Sequence, residues 1–93
     1  VNKDEANALL EQHLLLYRCR AYSELAALLG HPEVTQHVVA SGAKYQIEVE
    51  AFWDDRPGGN IRVLGAIDDG GWRGFKPLCA AFIMAPSGAF VGE

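Results

Sequence analysis

The sequence predicts an α+β domain: a long amino-terminal helix packed on an antiparallel sheet of about four strands. Three observations carry that prediction. Apolar residues recur every three or four positions across residues 4–29. Apolar and polar residues alternate from Lys44 to Trp53, and a second strand-like run, 61–68, follows Pro57-Gly58-Gly59-Asn60. A third apolar run, 78–85, comes late in the chain.

The helical stripe is Ala6, Leu10, Leu14, Tyr17, Ala21, Leu25 and Leu28. Asp4 and Glu5 suit the positive end of a helix dipole, and Gly30 with Pro32 supplies stop signals. The length allows a bend within residues 19–23, where Ser23 can cap a second segment. Leu9, Leu15, Leu16 and Leu29 widen the apolar surface beyond one stripe, so a second contact is expected there. Residues 31–41 carry opposed signals. Pro32 at a first helical position favours a short helix, the expectation adopted, whereas Val34, Thr35, Val38 and Val39 have strand character.

In the next run Tyr45, Ile47, Val49, Ala51 and Trp53 form one face, and Gln46, Glu48, Glu50 and Phe52 the other. Pro57 presets a turn and Gly58-Gly59 permit positive φ, so the chain reverses as a hairpin. Pairing Trp53 with Val63 buries like with like; it sets Ala51 against Gly65, Glu48 against Asp68 and Asp54 opposite Arg62. Residues 70–76, Gly-Gly-Trp-Arg-Gly-Phe-Lys, read as an ordered loop. After the strand at 78–85, Pro86-Ser87-Gly88 makes a turn with Gly88 left-handed, and residues 89–92 return as a short last strand with Phe90 facing Met84. Helix followed by strand meander is the order of cystatin-like and NTF2-like folds, an analogy of fold only.

At 93 residues the chain is one domain spanning 1–93. Its eight basic residues are scattered and the net charge is -4, which argues against a nucleic-acid partner. No apolar run approaches the ~20 residues of a bilayer span, so no membrane partner is expected and a cytoplasmic location is. Cys19 and Cys79 lack metal or redox spacing and are expected as free thiols in packed positions. His13, His31 and His37 show no metal-ligand spacing; neither a metal nor a cofactor is expected.

Chemistry is expected in two places. Glu48, Glu50, Asp68 and Asp69 fall on or near one sheet face; close carboxylates raise a pKa and can serve as acid and base or cation ligands, or they are simply the solvated face of a strand. In the loop, Trp72 and Phe75 could stack a ligand while Arg73 and Lys76 hold an anion; the alternative is that these aromatics plug the end of the sheet. Phe52, Leu64 and Ile61 are surplus apolar surface on the wet face, pointing to a homo-oligomer, a sheet-to-sheet dimer being favoured.

The stretches FWDDRPGGNIRVLGAIDDGGWRGFKPL and FIMAPSGAFVGE resemble small uncharacterised bacterial proteins, some carried on mobile gene cassettes such as those of integrons. The resemblance covers about half the chain. It implies a bacterial accessory protein and transfers no functional residue, the group having no assigned activity. The leading expectation is a small non-enzymatic protein that binds a small molecule or a protein as a homo-oligomer. The alternatives are an NTF2-like enzyme using one of the four carboxylates in a cavity closed by Trp72, and an immunity-type or antitoxin-like partner covering a basic enzyme.

Overall fold

The computed structural model describes residues 3–69 and 77–93. Along them run α1 (Lys3–Arg18), α2 (Tyr22–Ala26), β1 (Glu33–Val38), β2 (Lys44–Trp53), β3 (Ile61–Asp68) and β4 (Leu78–Met84). The strands form one antiparallel sheet in sequential order, and α1 lies across β3 and β4. This is the α+β arrangement the sequence predicts.

Ala6, Leu10, Leu14 and Tyr17 are the buried stripe of α1, with Asp4 and Glu5 in its first turn and Arg18 in its last. The helix stops where the sheet does. Sixteen residues at ~1.5 Å each reach about 24 Å, close to the ~26 Å of the eight-residue β3. The expected long helix is therefore two helices, broken in the expected stretch. The cap differs: Ala21, extended at φ -70° and ψ 158°, holds the N-cap position expected for Ser23, and Glu24 Oε1 accepts the Ala21 N–H at 3.0 Å. The break lets Leu25 and Leu28 bury against the same core. Tyr22 donates its hydroxyl to the Gly59 carbonyl at 2.6 Å, tying α2 to the hairpin loop.

Residues 31–41 are not a helix. They hold β1, paired with β2 from Glu33↔Val49 to Val38↔Lys44. The β-branched residues prevail over Pro32 and Gly42 because the outer edge of β2 needs a ladder of partners. Gly42 serves the connection instead, at φ 86°, donating its N–H to Val39 O at 2.8 Å.

The β2–β3 hairpin pairs Trp53 with Ile61, Ala51 with Val63, Val49 with Gly65 and Ile47 with Ile67, two residues from the expected register. A shift of two leaves every side chain on its face, so burial cannot tell these registers apart. Turn geometry can. Arg56-Pro57-Gly58-Gly59 closes with Gly59 N–H on Arg56 O at 3.0 Å and Gly58 at φ 82°, and Asp54 N–H reaches Asn60 O at 2.8 Å, so pairing continues up to the turn.

The core is the α1 stripe, Leu25 and Leu28 against Tyr45, Ile47, Val49, Ala51, Ile61, Val63, Ile67, Phe82 and Met84. Ile61 is fully buried in it and is not on the wet face. Trp53, expected in the core, is exposed at the end of β2. Gly65 lies directly under α1: a Cβ there would sit 2.9 Å from Leu10 Cδ1 and 3.0 Å from Leu14 Cδ2. The absent side chain lets helix and sheet approach.

The expected last strand, 89–92, shrinks to a single bridge, Met84↔Phe90, in which Val91 N–H donates to Ile83 O and Ala85 N–H to Ala89 O. Gly88 is left-handed, at φ 91°. Beyond the bridge Gly92, at φ 82°, turns the chain toward α1, where Glu93 meets Arg18 through two bonds of 2.8 and 2.7 Å. The Arg18 guanidinium stands 4.9 Å from both the Phe82 and Phe90 rings.

Candidate functional site

Among the described residues the sheet has one face under the helices and one without such cover. Residues paired across the ladder share a face, so the pairings lay out the open face in rows. These are Gln36–Gln46–Asp68, Val34–Glu48–Ala66–Cys79, Glu50–Leu64–Ala81 and Phe52–Arg62–Ile83. Between Arg62 and Asp68 the β3–β4 half is apolar: Leu64, Ala66, Cys79, Ala81 and Ile83. Along β2 runs an acidic stripe of Glu48 and Glu50, ending in Phe52. Phe52 is 44% exposed, and on β1 Val34 and Val38 are 52% and 69% exposed.

The expected carboxylate cluster does not assemble as a pair across the hairpin. In the observed register Glu48 faces Ala66, and Asp68 faces Gln46. Glu48 and Glu50 are neighbours along one strand, while Asp68 and Asp69 lie at the far end of β3. Phe52 and Leu64 share the face but are not partners, Phe52 standing opposite Arg62 and Leu64 opposite Glu50. Arg62 holds Asp54 through Nε at 3.1 Å and Nη2 at 2.9 Å, the pairing expected for Asp54 reached diagonally. Trp72, Arg73, Phe75 and Lys76 lie outside the described residues. Cys19 and Cys79 are free thiols but exposed, correcting the expectation that they pack. Of the extra helix leucines, Leu9 and Leu29 pack on the core, and Leu15 and Leu16 face outward.

A second cluster, on the helix side of β1, escaped the sequence reading. Glu33, Thr35 and His37 alternate on that face, opposite Val49, Ile47 and Tyr45. Tyr17 donates to Glu33 Oε1 at 2.7 Å, and the Arg20 guanidinium lies 4.3 Å over the Tyr17 ring and 3.5 Å from the same carboxylate oxygen. Burial, with the bond to Glu33, pushes the Tyr17 phenol up to about 12. The His13 ring stands 5.0 Å from that of His37, whose Nε2 lies 2.8 Å from Thr35 Oγ1. His13 Nε2 is buried with no hydrogen-bond partner among the described residues, and burial, then His37, holds the imidazole below its ordinary range. Strand alternation over 33–37 was the available signal; assigning a helix there concealed it. Among the described residues no group of three or more His, Cys, Asp and Glu side chains is placed to hold a metal ion.

No family model, no curated protein and no solved structure matches this chain. The functional reading therefore rests on this geometry. The helix-side cluster is organised as mutual packing of α1 against β1.

Proposed function

We propose that this is a small non-enzymatic binding protein that acts as a homodimer, two copies packing open face on open face along the β3–β4 half. One observation carries the reading: among the described residues the helices cover one side of the sheet and nothing covers the other, which holds Phe52, Leu64 and Ile83 with the small residues Ala66 and Ala81. Apolar area of that kind gains by leaving water. A two-fold axis along the β3–β4 seam superposes the two apolar halves and carries each β2 beyond the partner's β4. The stripes of Glu48 and Glu50 then stand at the rim, apart from each other. That rim, with Asp68, Asp69 and the adjoining segment bearing Trp72, Arg73, Phe75 and Lys76, is the recognition surface for a small molecule or a basic protein partner. The resemblance to cassette-borne proteins supports an accessory role in a bacterium.

The carboxylate enzyme finds less support: Glu48 and Glu50 sit on an open strand face between Val34, Ala66 and Leu64. Sedimentation velocity tests the dimer. The wild-type chain sediments as a dimer at micromolar concentration, and Phe52→Asp with Leu64→Asp gives a monomer with unchanged far-UV circular dichroism. A wild-type monomer at the highest concentration reached overturns the proposal.

A further inference from the structure

The outer edge of β4 is divided between a paired half and an open half. Ile83 O and Ala85 N–H point away from β3, since they bond the segment 89–91. By strand alternation the N–H and C=O groups of Cys79 and Ala81 point the same way. The chain's own tail would continue onto them, antiparallel to β4, but Gly92 turns it off and Glu93 latches it to Arg18. Among the described residues nothing bonds the edge at Cys79 and Ala81.

Such an edge is unusual. Natural sheets blunt exposed edges with lysine, proline or bulges, because an apolar uncharged edge recruits other strands. The run from Leu78 to Met84, LCAAFIM, holds none of these devices. Beside it, between α1 and β4, lies a groove of about 520 Å³ lined by Leu14, Leu15, Ala80 and Phe82, with Glu11 and the Glu93-paired Arg18 on the helix side. Leu15 is 57% exposed there.

We infer that the open half of the β4 edge, with the α1 groove beside it, is a strand-addition site for an extended peptide of a partner protein. The backbone groups of Cys79 and Ala81 supply the ladder bonds, and the groove takes alternate side chains. Residues opposite each other in an antiparallel pair share a face. Peptide residues opposite Ala81 and Cys79 therefore turn their side chains to the open face and their N–H groups to β4. Residues between them turn their side chains into the groove and their N–H groups away. The groove selects apolar side chains, and the net charge of -4 favours basic ones on the other face of the peptide. The segment 89–91 is the precedent within the molecule, a short antiparallel strand already seated on the same edge. This site uses the backbone edge of β4 and the proposed dimer contact uses the side chains of its open face, so the two adjoin and are tested by different variants.

The probe is a fluorescein-labelled heptapeptide alternating lysine and valine, titrated into the full chain by anisotropy. Saturable binding is expected. N-methylation of the lysine amides weakens it at least tenfold, whereas N-methylation of the valine amides changes it less than twofold. Ala81→Pro, which removes one edge N–H while leaving the β3 ladder intact, also weakens binding at least tenfold with unchanged circular dichroism. Absence of saturable binding to millimolar peptide overturns the inference, as does equal loss with both methylated peptides. A dimer that Ala81→Pro dissociates and the peptide competes away makes the occupant a second copy, and overturns it too.

Discussion

At the residue scale two positions show function and stability set by what a side chain lacks. Gly65 has none, and α1 descends into the space: a methyl group there would meet Leu10 Cδ1 and Leu14 Cδ2 at 2.9 and 3.0 Å. Gly65→Ala crowds those leucines, and over-packing of this kind costs roughly 1–3 kcal/mol, less the ~0.4–1 kcal/mol by which alanine restricts the unfolded chain. A net loss of about 1 kcal/mol in urea denaturation is expected, larger for valine. His13 lacks a hydrogen-bond partner for its buried Nε2 and faces His37, Arg20, Glu33 and the Tyr17 ring. Its pKa in the folded chain is below the 6.5 of an unfolded one, so the unfolded state binds the proton first. Its contribution is complete above pH 6.5 and is lost as pH falls from there through the lowered folded value. The urea midpoint should therefore fall as pH drops from 7 toward 5, and His13→Gln should remove part of that fall; an unchanged pH profile in the variant refutes the assignment.

At the element scale the tail 89–93 is the most separable part of the fold. Its pairing with β4 is one bridge, and its end is held by the Arg18–Glu93 pair, 2.7 Å at its shortest. Both partners are partly exposed, so their contribution to global stability is small. Locally the pair decides whether the tail stays down. Glu93→Gln should speed amide hydrogen exchange at Val91 and Ala85 several-fold while leaving the global unfolding midpoint nearly unchanged; unchanged exchange at both amides shows that the aromatic contacts of Phe90 hold the tail unaided. Arg18 pulls the Glu93 carboxyl below its ordinary 4.5, so the latch is complete above that value and weakens as pH falls through the lowered one. The elements also show how legible the sequence was. The stripe of α1 and the alternation of β2 and β3 each bury one face, and periodicity reports burial directly. β1 was missed because six residues with a proline before them and a glycine after satisfy helix and strand signals alike, and only the unpaired edge of β2 decides between them.

At the scale of the whole molecule, the sequence by itself determined the class, the β2–β3 hairpin with its faces and the left-handed Gly88. Each follows from local pattern, since periodicity, turn chemistry and composition act over a few neighbouring residues. Only the tertiary structure decided where α1 ends, which register the hairpin takes, and that Ile61 is core while Trp53 is not. It also brought His13 beside His37 and, among the described residues, closed the β4 edge only where the segment 89–91 bonds it. These depend on which strand lies next to which and on how far a helix reaches across a sheet. The physical reason is that a shift of two residues, or the choice between two edges, changes long-range contacts without altering the local pattern from which a sequence is read.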